Sequence, residues 1–151
     1  MSFILNYKTF FIFGTVILIL VLFFLAGWFL NSYRKIDLSV NNIKIEAEIA
    51  DTFQKKARGL SGRKSIAEGE GMLFIYENSG FYSFWMLGMN FALDIIWIDE
   101  NYKIIDIDKN VSPDSFPKTF RSENPAKYIL EVPAGFSDKN NVKLGDYING
   151  F

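Results

Sequence analysis

The sequence predicts a mainly β fold: a single antiparallel β-sandwich or small barrel with one or two short helices, preceded by one transmembrane α-helix. Three observations support this prediction. Residues 71–100 contain three apolar segments of strand length, separated by turn residues. Further strand-length segments flank this run on both sides. Residues 10–30 form one uncharged apolar stretch of the length that a bilayer core requires.

The composition excludes several classes of function. The chain has 151 residues with a formal net charge of -1, which gives no basic excess for binding nucleic acid. It has no Cys and no His, so disulfides, thiolate nucleophiles, imidazole bases and the usual zinc ligands are excluded. We expect no metal site, no cofactor and no nucleic-acid partner. Any catalysis would depend on carboxylates, Lys, Tyr, Ser or Thr.

The apolar stretch is predicted to be an uncleaved, single-pass signal anchor in the cytoplasmic membrane, after a short tail of residues 1–9. A cleaved signal peptide is the alternative, but Phe24 stands two positions before Ala26, where cleavage needs a small residue. We expect the soluble domain on the extracytoplasmic side. Because Lys and Arg flank both ends of residues 10–30, a cytoplasmic domain remains an alternative.

The soluble β-domain is predicted over residues 43–151, after a polar linker at residues 31–42. Its first strand is Ile43–Ala50, where apolar and charged residues alternate as in a half-buried strand. A short helix is expected over residues 54–58, because polar capping residues precede it and a glycine follows it.

The central run should supply three strands that are neighbours in one sheet, at residues 72–76, 82–86 and 93–98. A tight hairpin then leads into another partly alternating strand. Three of the four prolines fall in the next segment, which predicts a long surface loop. The later elements are the strand at residues 103–108, the loop at 110–125, a strand at 126–132, a helical turn at 136–141 and a closing strand at 147–148.

Five short motifs follow one another through this domain: ARGLSGR at residues 57–63, GMLFIY at 71–76, FWM at 84–86, ALDIIWID at 92–99 and PAKYILEVPAG at 125–135. Together they resemble the bacterial and archaeal family catalogued as domain of unknown function 192. The resemblance implies a jelly-roll-like sandwich behind a signal peptide or a single anchor, and it brings no established activity. Residues 61–62 and 87–89 depart from the family pattern, which usually has Met-Phe and a polar loop there.

Five residues within these motifs are the predicted ligand-binding residues. Arg63, Asp94 and Glu131 adjoin apolar runs, where an unpaired charge is costly. They would form either a cluster that holds a polar ligand or an internal network of ion pairs. Trp85 and Met86 would either line an apolar groove or belong to the core.

Two weaker patterns are attributed to coincidence. Asp106, Asp108 and Asn110 mimic the first ligands of a calcium loop, but the glycine and the bidentate Glu that such a loop needs are missing. Ser-x-x-Lys occurs at residues 61–64 and 115–118, in both cases next to helix-breaking residues.

Three functions are compatible with the sequence, and catalytic residues cannot be assigned for any of them. The first is a non-enzymatic binding module anchored in the lipid bilayer through residues 10–30, with an envelope ligand or a membrane protein as partner. The second is a hydrolase of an envelope polymer, for which carboxylates such as Asp94 and Glu131 are candidates for the acid and the base. The third is a structural subunit of a membrane complex, which predicts a large exposed apolar patch on the folded domain.

Overall fold

The computed structural model describes residues 7–30 and 33–151, and within the first helix the side chains of residues 9–24. The chain divides into two compact units between Tyr33 and Arg34. The first unit contains helix α1, Tyr7–Leu30, whose described side chains are all exposed. Within the described part of the chain, no helix has both the length and the apolar character needed to cross a membrane. The predicted transmembrane helix is therefore not confirmed.

The second unit, Arg34–Phe151, is mainly β. Its strands are β1 (Lys35–Val40), β2 (Ile43–Ala50), β3 (Glu70–Gly80), β4 (Phe84–Trp85), β5 (Leu93–Ile98), β6 (Ile104–Val111), β7 (Thr119–Phe120) and β8 (Ala126–Pro133). Its helices are α2 (Phe53–Arg58), a 3-10 helix (Pro113–Ser115) and α3 (Phe136–Lys139). Six strands form one sheet in the order β1-β2-β3-β8-β5-β6, and β4 pairs with β7 in a small second sheet.

The main sheet is mixed and open, which corrects the predicted antiparallel sandwich or barrel. Strands β2 and β3 are parallel, while the other pairs are antiparallel. A parallel pair needs a crossover between its strands, and the segment that contains α2 provides it. Strands β1 and β6 end this order, and residues 147–149 form only isolated bridges with Ser39 of β1 and with Lys103 just before β6, so the strands do not make a closed barrel.

The sequence predicts that the three central apolar segments are neighbours in one sheet, and the structure corrects this prediction. Strand β8 lies between β3 and β5 and pairs with both, and β4 belongs to the small sheet. A central strand is covered on both faces, and β5 and β8 have the nearly continuous burial that this position requires.

Strand β1 occupies part of the segment predicted to be a linker. It pairs with β2 in a hairpin whose turn is Asn41 and Asn42, both with positive φ. Asparagine tolerates this conformation, and a turn of this hand matches the twist of paired strands. Leu38 and Val40 are buried in the core and alternate with more polar residues, so this part of the predicted linker is a half-buried strand.

The two faces of the sheet have different coverings. On one face, which we call the sealed face, side chains such as Leu73, Ile96 and Leu130 pack against Phe136 and Val142 from the segment after β8. Residues one position along each strand point the other way, so Phe74, Trp97 and Glu131 lie on the opposite face. We call this the pocket face. The small sheet covers part of it through Phe84, whose ring is 4.7 Å from that of Phe74 and 5.4 Å from that of Trp97.

Candidate functional site

A cavity of about 410 Å³ opens on the pocket face between α2, β3 and β4. Its volume lies within the range of small-molecule sites, and most of its lining is aromatic or aliphatic. The residues around it are Phe53, Lys56, Ala57, Arg58, Gly59, Leu60, Ser61, Phe74, Tyr76, Ser83, Phe84, Trp85, Met89 and Glu131.

Helix α2 forms one wall of the cavity, and its ends are as the sequence predicted. Thr52 Oγ1 accepts a hydrogen bond from Lys55 N, and Gly59 ends the helix with φ of 50°. A Cβ at position 59 would lie 3.4 Å from the ring of Phe74. That distance is an ordinary contact, so the positive φ, and not the space, is what favours glycine here.

The segment after α2 is tied to the loop that follows β4. Ser61 Oγ donates to Leu87 O at 2.8 Å, and Gly62 N donates to Gly88 O at 2.8 Å. These are the positions at which the chain departs from the family pattern. They close one side of the cavity through backbone carbonyls, which most residue types could supply.

Tyr76 and its neighbours form the aromatic side of the cavity. The rings of Tyr76 and Tyr82 are stacked with centroids 3.4 Å apart, and Lys56 Nζ lies 4.2 Å from the centre of the Tyr76 ring. Burial raises the pKa of Tyr76 to about 12, and burial lowers the pKa of Lys56. This wall thus presents a neutral phenol and a cation above an aromatic face.

Glu131 is the acid at the cavity. It lies on β8 between Met72 of β3 and Ile95 of β5, and the residue is only 6% exposed. Its Oε2 atom is buried without a hydrogen-bond partner among the described residues. Burial raises the pKa of Glu131 to about 8, although the positive charge of Arg63 opposes this shift. At neutral pH the carboxyl group is therefore mostly protonated and able to donate as well as accept.

Arg63 is engaged mainly with another acid. Its guanidinium donates to both oxygens of Glu48, Nη1 at 2.9 Å and Nη2 at 2.5 Å. Glu48 pairs in register with Met72, which in turn pairs with Glu131, so the two acids share the pocket face. The structure thus brings Arg63 near Glu131 electrostatically, while its two-pronged contact fixes the loop to β2.

Asp94 lies on the sealed face, away from the cavity. Its carboxylate accepts hydrogen bonds from three backbone N–H groups: Asn110 at 2.8 Å, Gly135 at 3.1 Å and Ser137 at 2.8 Å. Asp94 is opposite Val132 in the ladder, one residue from Glu131, so the two carboxyl groups project from opposite faces. They do not form an acid–base pair across one cleft.

The two apolar residues among the predicted ligand-binding residues also lie in different places. Trp85 lines the cavity and is more than half exposed, whereas Met86 is buried in the core. Of the five predicted residues, the structure therefore places Trp85 and Glu131 at the cavity, Arg63 beside it, and Met86 and Asp94 elsewhere.

Sequence reasoning missed most of the cavity lining, including Phe53, Lys56 and Phe74. Phe74 belongs to a predicted strand, but nothing local shows that α2 lies across it. Asp108 accepts a hydrogen bond from Trp97 Nε1 at 2.9 Å, and burial raises its pKa. No cluster of three acidic metal ligands occurs among the residues that the structure describes.

The fold and the site together define a class of β-domain with a mixed sheet. It has a cavity large enough for a small molecule, and a buried carboxyl group lines that cavity. The profile of the family described as DUF192, an uncharacterized family, matches residues 36–150, and the chain belongs to this family. The chain is similar to a UPF0127 protein of Thermococcus sibiricus, with 32% identity over 107 residues, 68% of this chain and 64% of the relative. It is 30% identical over 114 residues to UPF0127 protein PH1112 of Pyrococcus horikoshii, covering 70% of this chain and 88% of the relative. The match thus spans less than two thirds of the Thermococcus protein.

Two solved structures share the fold. One is a protein of unknown function from Novosphingobium aromaticivorans, with a TM-score of 0.75 and 24% identity over 79% of this chain and 87% of that protein. The other, from Sinorhizobium meliloti, was named as a candidate transcription regulator; it has a TM-score of 0.73 and 28% identity over 79% of this chain and 95% of its own. The first likeness shows the fold alone.

Proposed function

We propose that the β-domain is a non-enzymatic binding module that holds a small molecule in the cavity on the pocket face. The observation that carries this proposal is Glu131 Oε2, a buried polar atom at the cavity with no partner among the described residues. Buried polar atoms are nearly always hydrogen-bonded, so an orphan atom at a cavity of this size calls for an outside partner.

The lining indicates the chemistry of the ligand. A flat apolar body would fit against Phe74, Phe84 and Trp85, because aromatic faces bury large areas with little loss of side-chain freedom. One polar group of the ligand, such as an amide, phenol or amine, would complete the hydrogen bonding of Glu131. The carboxyl group then fixes the orientation of the ligand, and the apolar walls supply most of the affinity.

Attachment to the cytoplasmic membrane through α1 completes the proposal. The described side chains of α1 are exposed on every side of the helix, and nearly all of them are Phe, Ile, Leu or Val. A helix that is apolar all round is unfavourable in water and is stabilised by insertion into lipid. On this proposal the β-domain is displayed on the extracytoplasmic side, and its ligand is an envelope component.

The paired-carboxylate hydrolase has no support in the geometry. Glycoside hydrolysis requires two carboxyl groups that flank one bond, whereas Asp94 and Glu131 project from opposite faces of the sheet. A structural subunit of a membrane complex remains a second candidate. The exposed apolar surface of α1 favours this function equally, but a structural subunit would leave the cavity without a role.

Binding can be tested on the full chain in lipid nanodiscs by ¹H–¹⁵N NMR, with benzamide, phenol and benzylamine as probes. We expect at least one probe to shift resonances of Leu60, Tyr76 and Phe84. Glu131→Leu should weaken that binding about fivefold to tenfold, the loss typical of one hydrogen bond to a buried group. Glu68→Leu, at an exposed acid outside the lining, is the matched control and should leave binding unchanged. The proposal would be contradicted if Glu131→Leu left the affinity for the probe unchanged, or if no probe bound.

The site of display can be tested separately by protease treatment of intact cells whose outer envelope has been opened. Cleavage of the β-domain is expected if it lies outside the cytoplasmic membrane. Protection of the β-domain, with cleavage only after the membrane is dissolved, would place it in the cytoplasm instead.

A further inference from the structure

Three exposed apolar side chains border the mouth of the cavity. Phe53 at the start of α2 is 82% exposed, Trp85 in β4 is 54% exposed, and both line the cavity. Leu87 is 51% exposed and adjoins them, because its carbonyl oxygen accepts from the lining residue Ser61. We call Phe53, Trp85 and Leu87 the rim. Exposed apolar side chains grouped at one cavity mouth are typical of an interaction surface.

Cations accompany the rim. Helix α2 has the sequence FQKKAR, in which Lys55 is paired with Asp51. Lys56 and Arg58 line the cavity next to Phe53, and we call these two residues the cations of α2. Aromatic side chains beside Lys and Arg form the composition that binds an anionic lipid surface: the rings enter the interface and the cations contact phosphate.

The chain reaches the β-domain at the same corner. Arg34 is the first residue of this unit, and its Nη2 donates to Asp51 Oδ2 at 2.6 Å. The carbonyl oxygen of Arg34 also accepts from Ile49 N at 2.7 Å. Asp51 immediately precedes the N-cap Thr52 and the rim residue Phe53. The start of the β-domain is therefore anchored beside the rim, by contacts that lie entirely within residues 34–151.

We infer that the rim and the cations of α2 form a surface that binds anionic lipid, so that the mouth of the cavity opens onto the bilayer. The inference rests on the membrane attachment proposed above and adds which side of the β-domain meets the lipid. A ligand of the cavity would then be exchanged with the lipid phase and would be an amphiphile, which agrees with aromatic walls and a single polar contact.

Tryptophan fluorescence of the full chain in vesicles tests this inference. The chain has three Trp, and Trp28→Phe leaves Trp85 at the rim and Trp97 fully buried in the core. In vesicles that contain phosphatidylglycerol and brominated phosphatidylcholine, bromine quenches an indole that contacts the acyl chains. We expect the emission of the Trp28→Phe protein to fall by roughly a third to a half, because one of its two indoles lies at the interface.

Three variants sharpen the result, all made in the Trp28→Phe background. With Trp85→Phe added, the remaining Trp97 should not be quenched. With Phe53→Ser and Lys56→Glu added, the quenching of Trp85 should fall at least about twofold, because an apolar contact and a cation are removed. Tyr147→Ser is the matched control: Tyr147 is 55% exposed and lies in the segment that covers the sealed face. It should leave the quenching unchanged.

Flotation of the same vesicles separates the two ways in which the test can fail. If the protein floats with the vesicles and Trp85 is not quenched, the lipid-facing rim is refuted while the attachment through α1 stands. Equal quenching in vesicles of phosphatidylcholine alone would refute the role of the α2 cations. Protein that does not float at all would refute the membrane attachment and this inference together.

Discussion

Asp94 and Glu131 are two buried carboxyl groups on neighbouring strands of one sheet, and their surroundings differ completely. Asp94 is 0% exposed and accepts three backbone hydrogen bonds on the sealed face. Glu131 is nearly as buried on the pocket face, but it keeps an oxygen without a partner among the described residues. Burial alone therefore does not distinguish a structural acid from a binding acid. What distinguishes them is the number of hydrogen-bond donors that the fold directs at the carboxyl oxygens.

The difference arises from the chain segments that cover each face. After β8 the chain turns at Gly135, with φ of 81°, and points the N–H donors of Gly135 and Ser137 at Asp94. On the other face, Glu131 is bordered by the side chains of Met72 and Ile95, which can donate nothing. The sealed face thus supplies donors to its carboxyl group, whereas on the pocket face burial raises the pKa of Glu131 and favours the neutral acid.

The largest effect is expected from Asp94→Ala. Three backbone N–H groups, one of them on the buried residue Ser137, would lose their acceptor, and we expect the free energy of unfolding to fall by roughly 3–5 kcal/mol. Urea denaturation followed by circular dichroism measures this loss. Asp94→Asn keeps one acceptor oxygen and should lose clearly less. A loss below about 1 kcal/mol for Asp94→Ala would mean that the donors find other partners.

The next largest effect is expected from Glu131→Gln, and it depends on pH. The pKa of Glu131 is about 8 in the folded protein against 4.5 as its ordinary value, so the folded state binds a proton that the unfolded state loses between these two pH values. Unfolding free energy should therefore fall as pH rises across this window, by up to about 1.4 kcal/mol per pH unit. Glu131→Gln should remove that slope, so that the variant matches the native chain near pH 5 and exceeds its stability by several kcal/mol near pH 8.

Denaturation midpoints of both proteins at pH 5, 6, 7 and 8 check this prediction. Glu68→Gln, at an exposed acid, serves as the reference and should keep the native slope. Identical slopes for the native chain and Glu131→Gln would show that the carboxyl group is ionised when folded.

A smaller effect is expected from Arg63→Gln. The variant removes the positive charge that lowers the pKa of Glu131, so that pKa should rise further, as followed by carboxyl ¹³C chemical shifts. Loss of the half-buried contact with Glu48 should also lower stability by about 1 kcal/mol. An unchanged Glu131 titration would mean that Arg63 acts on Glu48 alone.

The smallest effect is expected from Lys139→Gln. Its ion pair with Glu68 joins two side chains that are mostly exposed, and such pairs contribute little in water. Stability measured at low and high salt should agree with that of the native chain, and the Glu131 titration should not move. A clear loss of stability would indicate that Lys139 has a role beyond this pair.

The elements that the sequence predicted well are those whose signal is local. Strands β2 and β5 coincide with the predicted segments, and α2 begins and ends at the expected cap and glycine, because alternation and capping involve neighbouring residues. Strand β1 escaped prediction, since only two of its six residues are buried and its turn is Asn-Asn rather than the more usual Asn-Gly. The parallel pairing of β2 with β3 and the central place of β8 involve residues far apart in the chain. No local pattern encodes them.

The candidate site was predictable to a similar degree. Glu131 and Asp94 gave the same signal, an acid within an apolar run, and only the ladder register shows that they face opposite ways. Phe53 and Lys56 gave no signal, because their place at the cavity follows from how α2 packs against β3. Residue type and spacing therefore predicted one acid at the cavity and one aromatic residue at its mouth. Tertiary packing determined the rest of the cavity lining.

The position of β8 has a consequence for biosynthesis. Strands β3 and β5 leave the ribosome well before residue 126, and until β8 arrives each has one edge that lacks its native partner. The sheet is therefore completed only when the last of its six strands is available, which makes folding a late event that depends on distant contacts. The nascent chain exposes two apolar strands during that interval, and protection by chaperones would matter most then.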